Sequence, residues 1–88
     1  MPKTIHRPEH AVLLTLLKKH RKAAALTQVE CSKALGRPQS FISDVESGTR
    51  RLDIVQLHDL CKVLGIGLVE LIIEFEKSLP VDSATAAQ

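Results

Sequence analysis

Thr27-Gln28-Val29-Glu30-Cys31-Ser32-Lys33-Ala34-Leu35-Gly36-Arg37-Pro38-Gln39-Ser40-Phe41-Ile42-Ser43-Asp44-Val45-Glu46-Ser47-Gly48 reads as two short helices joined by a tight turn. Thr27 and Glu30 have capping-box spacing: the hydroxyl accepts from the third helical amide, and the carboxylate reaches back to the Thr27 amide. The helix then runs about two turns to Leu35, where Gly36 takes the left-handed conformation that stops it. Pro38 stands where the next helix is expected to begin, because proline is tolerated in a first turn. Ile42 and Val45, three apart, point inward and leave Gln39, Ser40, Ser43 and Asp44 on the outer side. Ser47-Gly48 ends this helix. A helix-turn-helix needs this arrangement: one helix braces across phosphates while the next lays its polar face in the major groove.

Upstream, residues 1–8 hold two prolines and are expected to form an arm. From Glu9 the apolar positions Val12, Leu13, Leu16 and Leu17, with His20, follow helical periodicity, and Lys18, Lys19, Arg21 and Lys22 fall mostly on the other side. This first helix is expected to end near residues 23–25. Downstream, Thr49-Arg50-Arg51-Leu52 is a short basic loop, and Asp53-Ile54-Val55-Gln56 repeats the capping-box logic. The fourth helix carries Ile54, Leu57, Leu60, Cys61 and Leu64 and stops at Gly65. Gly67 opens a fifth helix to about Leu79, and residues 80–88 are expected to be a disordered tail. The expectation is therefore an all-α, five-helix domain over residues 9–79.

The 88 residues make one domain, with an aliphatic core, since Phe41 and Phe75 are the only aromatic residues. No apolar run is long enough to span a bilayer, and the N-terminus lacks the apolar core of a signal peptide, so the expected compartment is the cytoplasm. Net charge is +2, unevenly spread. Residues 1–51 carry ten Lys/Arg against four acids (+6), and residues 52–88 carry two against six (−4). A basic half suits a polyanion. Cys31 and Cys61 fall at apolar helical positions and read as buried, reduced thiols. His6 and His10 flank Pro8 with no carboxylate or thiol to complete a metal set. His20 and His58 stand alone, with no nucleophile nearby, so no metal, cofactor or catalytic residue is expected and an enzyme is disfavoured.

The segment from Leu26 to Gly48 resembles the XRE family, the lambda-repressor/Cro type of helix-turn-helix. The likeness continues through Leu57-His58-Asp59-Leu60-Cys61-Lys62-Val63-Leu64-Gly65-Ile66 and covers about residues 9–76. It implies a compact five-helix lambda-repressor-like domain, with the helix-turn-helix formed by helices 2 and 3, that binds double-stranded DNA. By position it assigns DNA contact to Thr27, Gln28, Arg37, Gln39, Ser40, Ser43, Asp44, Thr49, Arg50 and Arg51. Gln28 would contact a phosphate and support the recognition helix. Gln39 would open that helix and read a base, with adenine N6/N7 the natural partner of an amide. Ser40 and Ser43 would reach bases or phosphates, and the arginines and Thr49 would touch the backbone at the edges. Asp44 could accept from cytosine N4, repel phosphate, or lie at the groove edge, which is preferred. Phe41 could meet a thymine methyl or pack under the loop, with packing preferred. Arg21 and Glu46 match a family pair that ties the first helix to the end of the third. The sequence departs from the family at Ala25, usually glycine, at Cys31, usually leucine, and at Ser32. Those changes imply an altered end to the first helix, and either a looser core or a Ser32 hydroxyl bonded back to a carbonyl.

Leu68, Leu71, Ile72, Phe75 and Leu79 form one stripe on the fifth helix, with Val69 and Ile73 off it. This apolar surface exceeds what one small domain covers and points to a homodimer interface. The expected function is a sequence-specific transcriptional repressor on a palindromic operator. The alternative is a protein-interaction module, such as an antitoxin, in which DNA binding is secondary. With no effector domain after the DNA-binding unit, a signal is expected to arrive through a partner, through the fifth helix or through expression level.

Overall fold

A computed structural model of the chain describes residues 7–79. The expected tail and most of the expected arm, including His6, lie outside the described residues. The five elements are α1 (Pro8–Ala23), α2 (Gln28–Ala34), α3 (Phe41–Glu46), α4 (Ile54–Leu64) and α5 (Leu68–Ser78). α2 packs on α3, α1 on both α3 and α5, and α4 on α5. Every helix contributes to one core: Leu16 and Leu17, Cys31, Phe41, Ile42 and Val45, then Leu57, Leu60, Cys61 and Leu64, and Leu71. Val12, Leu13, Leu14, Leu26, Leu35 and Leu52 pack around it. Among the described residues no helix is long and apolar enough to cross a membrane.

Local chemistry accounts for most boundaries. α1 begins at Pro8, which has no amide hydrogen to lose at a helix start. Thr27 and Glu30 close the expected capping box, with Glu30 N donating to Thr27 Oγ1 (3.0 Å) and Thr27 N to Glu30 Oε1 (2.9 Å). Asp53 and Gln56 do the same at α4, at 2.8 and 3.0 Å. At α5, Gly67 N donates to Glu70 Oε1 (3.0 Å), which is half of such a box.

Three expectations need adjustment. The third helix starts at Phe41, not Pro38. Residues 38–40 form a tight turn closed by Phe41 N donating to Pro38 O (2.9 Å), and helical bonding begins with Asp44 N to Ser40 O (3.0 Å). The fifth helix stops at Ser78, and Leu79 is extended, because the residue before a proline is driven out of the helical region. Ser32 does not bond back to a carbonyl. Its buried Oγ accepts the Ile42 amide (2.9 Å), joining α2 to the start of α3.

The fifth-helix stripe also divides differently. Leu71 is wholly buried in the chain's own core, and Leu68 and Phe75 pack against that core. A side chain with no exposed surface cannot meet a partner, so Leu71 leaves the interface set. The outward apolar residues are Val69, Ile72 and Ile73, spaced i, i+3, i+4 along one helical face.

Candidate nucleic-acid interface

The outer side of the α2–turn–α3 unit is polar and cationic. Thr27, Arg37, Gln39, Ser40, Asp44, Thr49, Arg50 and Arg51 are all exposed, while Gln28 and Ser43 are half-buried. Gln39 and Ser40 lie in the turn that leads into α3, one step before the helix expected to carry them. Ser43 Oγ donates to Ser40 O (3.1 Å), so this hydroxyl must exchange an internal partner before it can donate to DNA. At the far end, Ser47 Oγ donates to Asp44 O (3.1 Å) and shares a 2.6 Å hydrogen bond with Thr49 Oγ1.

A buried polar junction holds this surface in place from behind. Arg21 on α1 is 8% exposed, which an arginine tolerates only when its charge is paired and its N–H groups are used. Its Nε donates to Glu46 Oε2 (2.7 Å), its Nη2 to Glu46 Oε1 (3.1 Å) and its Nη1 to Leu26 O (2.8 Å). Gln28 Nε2 donates to the same Glu46 Oε1 (2.9 Å). One carboxylate at the last position of α3 is thereby tied to α1 and to the first residue of α2. Burial pushes the Glu46 carboxyl up, but the hydrogen bonds from Arg21 and Gln28 outweigh it and hold the group below its ordinary value. The pairing of Arg21 with Glu46 expected from the family likeness is present, and Gln28 supports α3 through it.

Phe41 is buried, so its ring packs. The guanidinium carbons of Arg37 and Arg50 each lie 5.1 Å from its centroid. Sequence reading missed this cluster. Arg37 precedes Phe41 by four residues, a spacing that could have suggested contact, whereas Arg50 arrives only through the fold of the loop after α3. Also missed was a tie between α1 and α5, in which Glu74 bonds Lys19 Nζ (2.7 Å) and His20 Nε2 (2.7 Å). Cys31 and Cys61 are buried free thiols, and burial raises both above the ordinary thiol value. Among the described residues no group of three or more His, Cys, Asp or Glu side chains is placed to hold a metal ion.

A short helix braced on α2, with an amide, hydroxyls and arginines exposed in the turn before it and the loop after it, defines a DNA-binding helix-turn-helix domain. Residues 12–71 match the family model described as a helix-turn-helix domain. An HTH-type transcriptional regulator, y4dJ of Sinorhizobium fredii (strain NBRC 101917 / NGR234), is 35% identical over 52 residues, covering 59% of this chain and 68% of the relative. An XRE-family like protein from Pseudomonas syringae pv. tomato str. DC3000 superposes with a TM-score of 0.79 at 42% identity, over 89% of this chain and 95% of the other. The restriction-modification controller protein C.Esp1396I, solved as a tetramer in complex with its natural 35 base-pair operator, superposes with a TM-score of 0.73. It is 22% identical over 82% of this chain and 95% of the other, a likeness of fold. The chain belongs to the XRE family of helix-turn-helix transcription regulators.

Proposed function

We infer that the protein is a sequence-specific repressor that binds a palindromic operator as a homodimer. The observation that carries this reading is the outward face at 39–44. Gln39, Ser40 and Asp44 are exposed while Phe41, Ile42 and Val45 are buried beneath them, so the polar side is solvated rather than packed. Gln39 reads a base edge. Arg37, Arg50 and Arg51 neutralise flanking phosphates, which fix register without selecting sequence. Repression follows from occupying a promoter. The fold shared with C.Esp1396I, which was solved on its operator, supports DNA as the ligand.

The dimer contact in this reading is the α5 face of Val69, Ile72 and Ile73, edged by Leu68, Phe75 and Leu79. Val69 is 71% exposed and Ile73 49%, a cost in apolar surface that a second copy would relieve. Two recognition helices about 34 Å apart then meet successive major grooves.

Selection of bound duplexes from a random pool at near-physiological salt tests the reading, because it reports preference, symmetry and half-site spacing together. A palindrome with half-sites about one helical turn apart is expected. No enriched sequence at any ionic strength would overturn it. On the selected site, Gln39→Ala should weaken binding by about 1–3 kcal/mol per lost bidentate contact and relax preference at one base pair per half-site. An equal loss on random duplex would remove Gln39 from base reading. Ile73→Asp should give monomers in analytical ultracentrifugation, and a persistent dimer would move the interface elsewhere.

A further inference from the structure

Phe41 is the first residue of α3 and is 7% exposed, so its ring belongs to the core. Its ring nevertheless lies beneath two cations from opposite ends of the helix-turn-helix unit. Arg37 comes from the turn before α3, where its amide donates to Ser32 O (3.0 Å) and completes the end of α2. Arg50 comes from the loop after α3, where its amide donates to Asp44 O (3.1 Å) and helps complete the end of α3. Both backbones are therefore fixed by helix-end hydrogen bonds, while both side chains remain exposed. Each guanidinium carbon lies 5.1 Å from the ring centroid, within the range at which the negative π-face attracts a cation.

We propose that Phe41 is a positioning residue for DNA binding, a shared brace that holds Arg37 and Arg50 in phosphate-ready positions before DNA arrives. Two like charges near one another repel, and long arginine side chains sample many rotamers. A ring that attracts both guanidinium groups opposes the repulsion and reduces the rotamer freedom lost on binding. Stacking uses the flat side of a guanidinium and leaves its in-plane N–H fork for phosphate oxygens. Because the ring is seated in the core, the brace moves with α3, so the two charges keep register with the residues that face the bases. One strand of B-DNA presents a phosphate about every 3.4 Å of axis, so a single backbone segment can engage both arginines. Phe41 touches no base in this account. It sets affinity on every duplex and leaves sequence preference to Gln39. The proposal rests on the DNA-binding reading given above, but its geometry is testable without DNA.

The experiment uses the full chain. In the DNA-free protein, ring current should shift the Arg37 and Arg50 Hδ resonances away from random-coil values. Phe41→Tyr should retain that shift, and Phe41→Leu should abolish it while core methyl resonances of Ile42 and Leu71 stay dispersed. Random-coil Hδ shifts in the wild-type protein would overturn the brace, and that measurement stands even if Phe41→Leu does not fold. Fluorescence anisotropy on the selected operator and on a random duplex supplies the second arm. Phe41→Leu should weaken both to the same degree, by about two- to fivefold for each arginine released. Arg37→Gln and Arg50→Gln should each lose less in the Phe41→Leu background than alone. Fully additive losses would sink the brace and leave the DNA-binding reading intact. Failure of the wild-type chain to bind any duplex would instead sink the DNA-binding reading, and with it the purpose of the brace.

Discussion

α3 and α4 follow one another in the chain and are held by opposite means. α4 has eleven residues and brings its own cap, Asp53 with Gln56. Its buried side is entirely apolar: Leu57, Leu60, Cys61 and Leu64. α3 has six residues and no side-chain cap of its own. Its start is held by Ser32 of α2, and its end by Arg21 of α1 and Gln28 of α2, both through Glu46. A six-residue helix is far below the length at which a helix is stable by itself, and its outer side, with Asp44, is left to solvent. Its support therefore comes from neighbours on the inner side, through buried hydrogen bonds that fix position as well as energy. α3 is a tertiary structure, whereas α4 is largely a local one.

The strongest way to break this contrast is to remove Arg21. Arg21→Met leaves the Glu46 carboxylate buried with Gln28 and the weaker charge interaction of Lys18 to oppose burial, and breaking a buried pair from one side costs about 3–5 kcal/mol. Urea unfolding should report a loss of that order, and a loss under 1 kcal/mol would mean that α3 stands without the junction. The pH dependence sharpens the same point. The folded Glu46 carboxyl is held below its ordinary value of 4.5, so its contribution is fully present above that value and fades as pH falls through 4.5 towards the folded value. Glu74 is also held low, by Lys19 and then His20, and titrates in the same direction. Comparing the wild-type protein with Glu46→Gln isolates the junction: the stability gap should be constant above about pH 6 and shrink below pH 4.5. A gap that widens in acid would contradict the sign of this linkage.

A second pair of variants compares the two helix starts directly. Ser32→Ala and Asp53→Ala each delete one oxygen that accepts a helix-start amide. The Ile42 amide loses its partner inside the core, which costs about 1–3 kcal/mol. The Gln56 amide loses its partner where water can replace it, which costs about 1 kcal/mol. Thermal unfolding should rank Ser32→Ala as the more damaging. The reverse order would mean that α3 is capped by something other than Ser32.

The same difference explains what could be read from the chain in advance. The caps at Thr27/Glu30 and Asp53/Gln56, the stop at Gly36 and the core positions of α1 and α4 are local signals, carried by spacings of three and four residues. The start of α3 is not. Pro38 permits a helix, but the bond from Phe41 N to Pro38 O makes a turn first, so Gln39 precedes the helix. Ser32 has a hydroxyl whose nearest local partner is a carbonyl one turn back, yet its partner is an amide ten residues away. The contacts of Arg50 with Phe41 and of Glu74 with His20 likewise depend on how loops close and helices cross. The α5 stripe was legible as apolar. Which of its residues the chain itself buries depends on the angle at which α1 and α4 meet it, and no periodicity contains that angle.

Ala25 tests how far the buried junction can hold an unfavourable backbone. Four helices end in the same pair of hydrogen bonds. At α1, Leu26 N donates to Arg21 O and Ala25 N to Lys22 O; at α4, Ile66 N donates to Cys61 O and Gly65 N to Lys62 O. α2 and α3 repeat the pattern with Gly36 and Gly48. The pivotal residue must have positive φ, which is +79° at Gly65 and +60° at Ala25, the one described residue other than glycine with positive φ. A left-handed alanine costs about 1–2 kcal/mol relative to its relaxed backbone, and a glycine there would give back about 0.4–1 kcal/mol through its looser unfolded chain. Ala25→Gly should therefore stabilise the domain by roughly 0.5–1 kcal/mol, raising Tm by a few degrees. Gly65→Ala should lower it by a similar amount, because a Cβ at Gly65 meets nothing within 4 Å and only the φ is at stake. What keeps Ala25 in place is adjacent: Leu26 packs against the core and its carbonyl accepts from Arg21 Nη1 (2.8 Å). If Ala25→Gly instead lowered Tm, the end of α1 would be set by something other than φ, and Arg21 would not be the residue that holds it there.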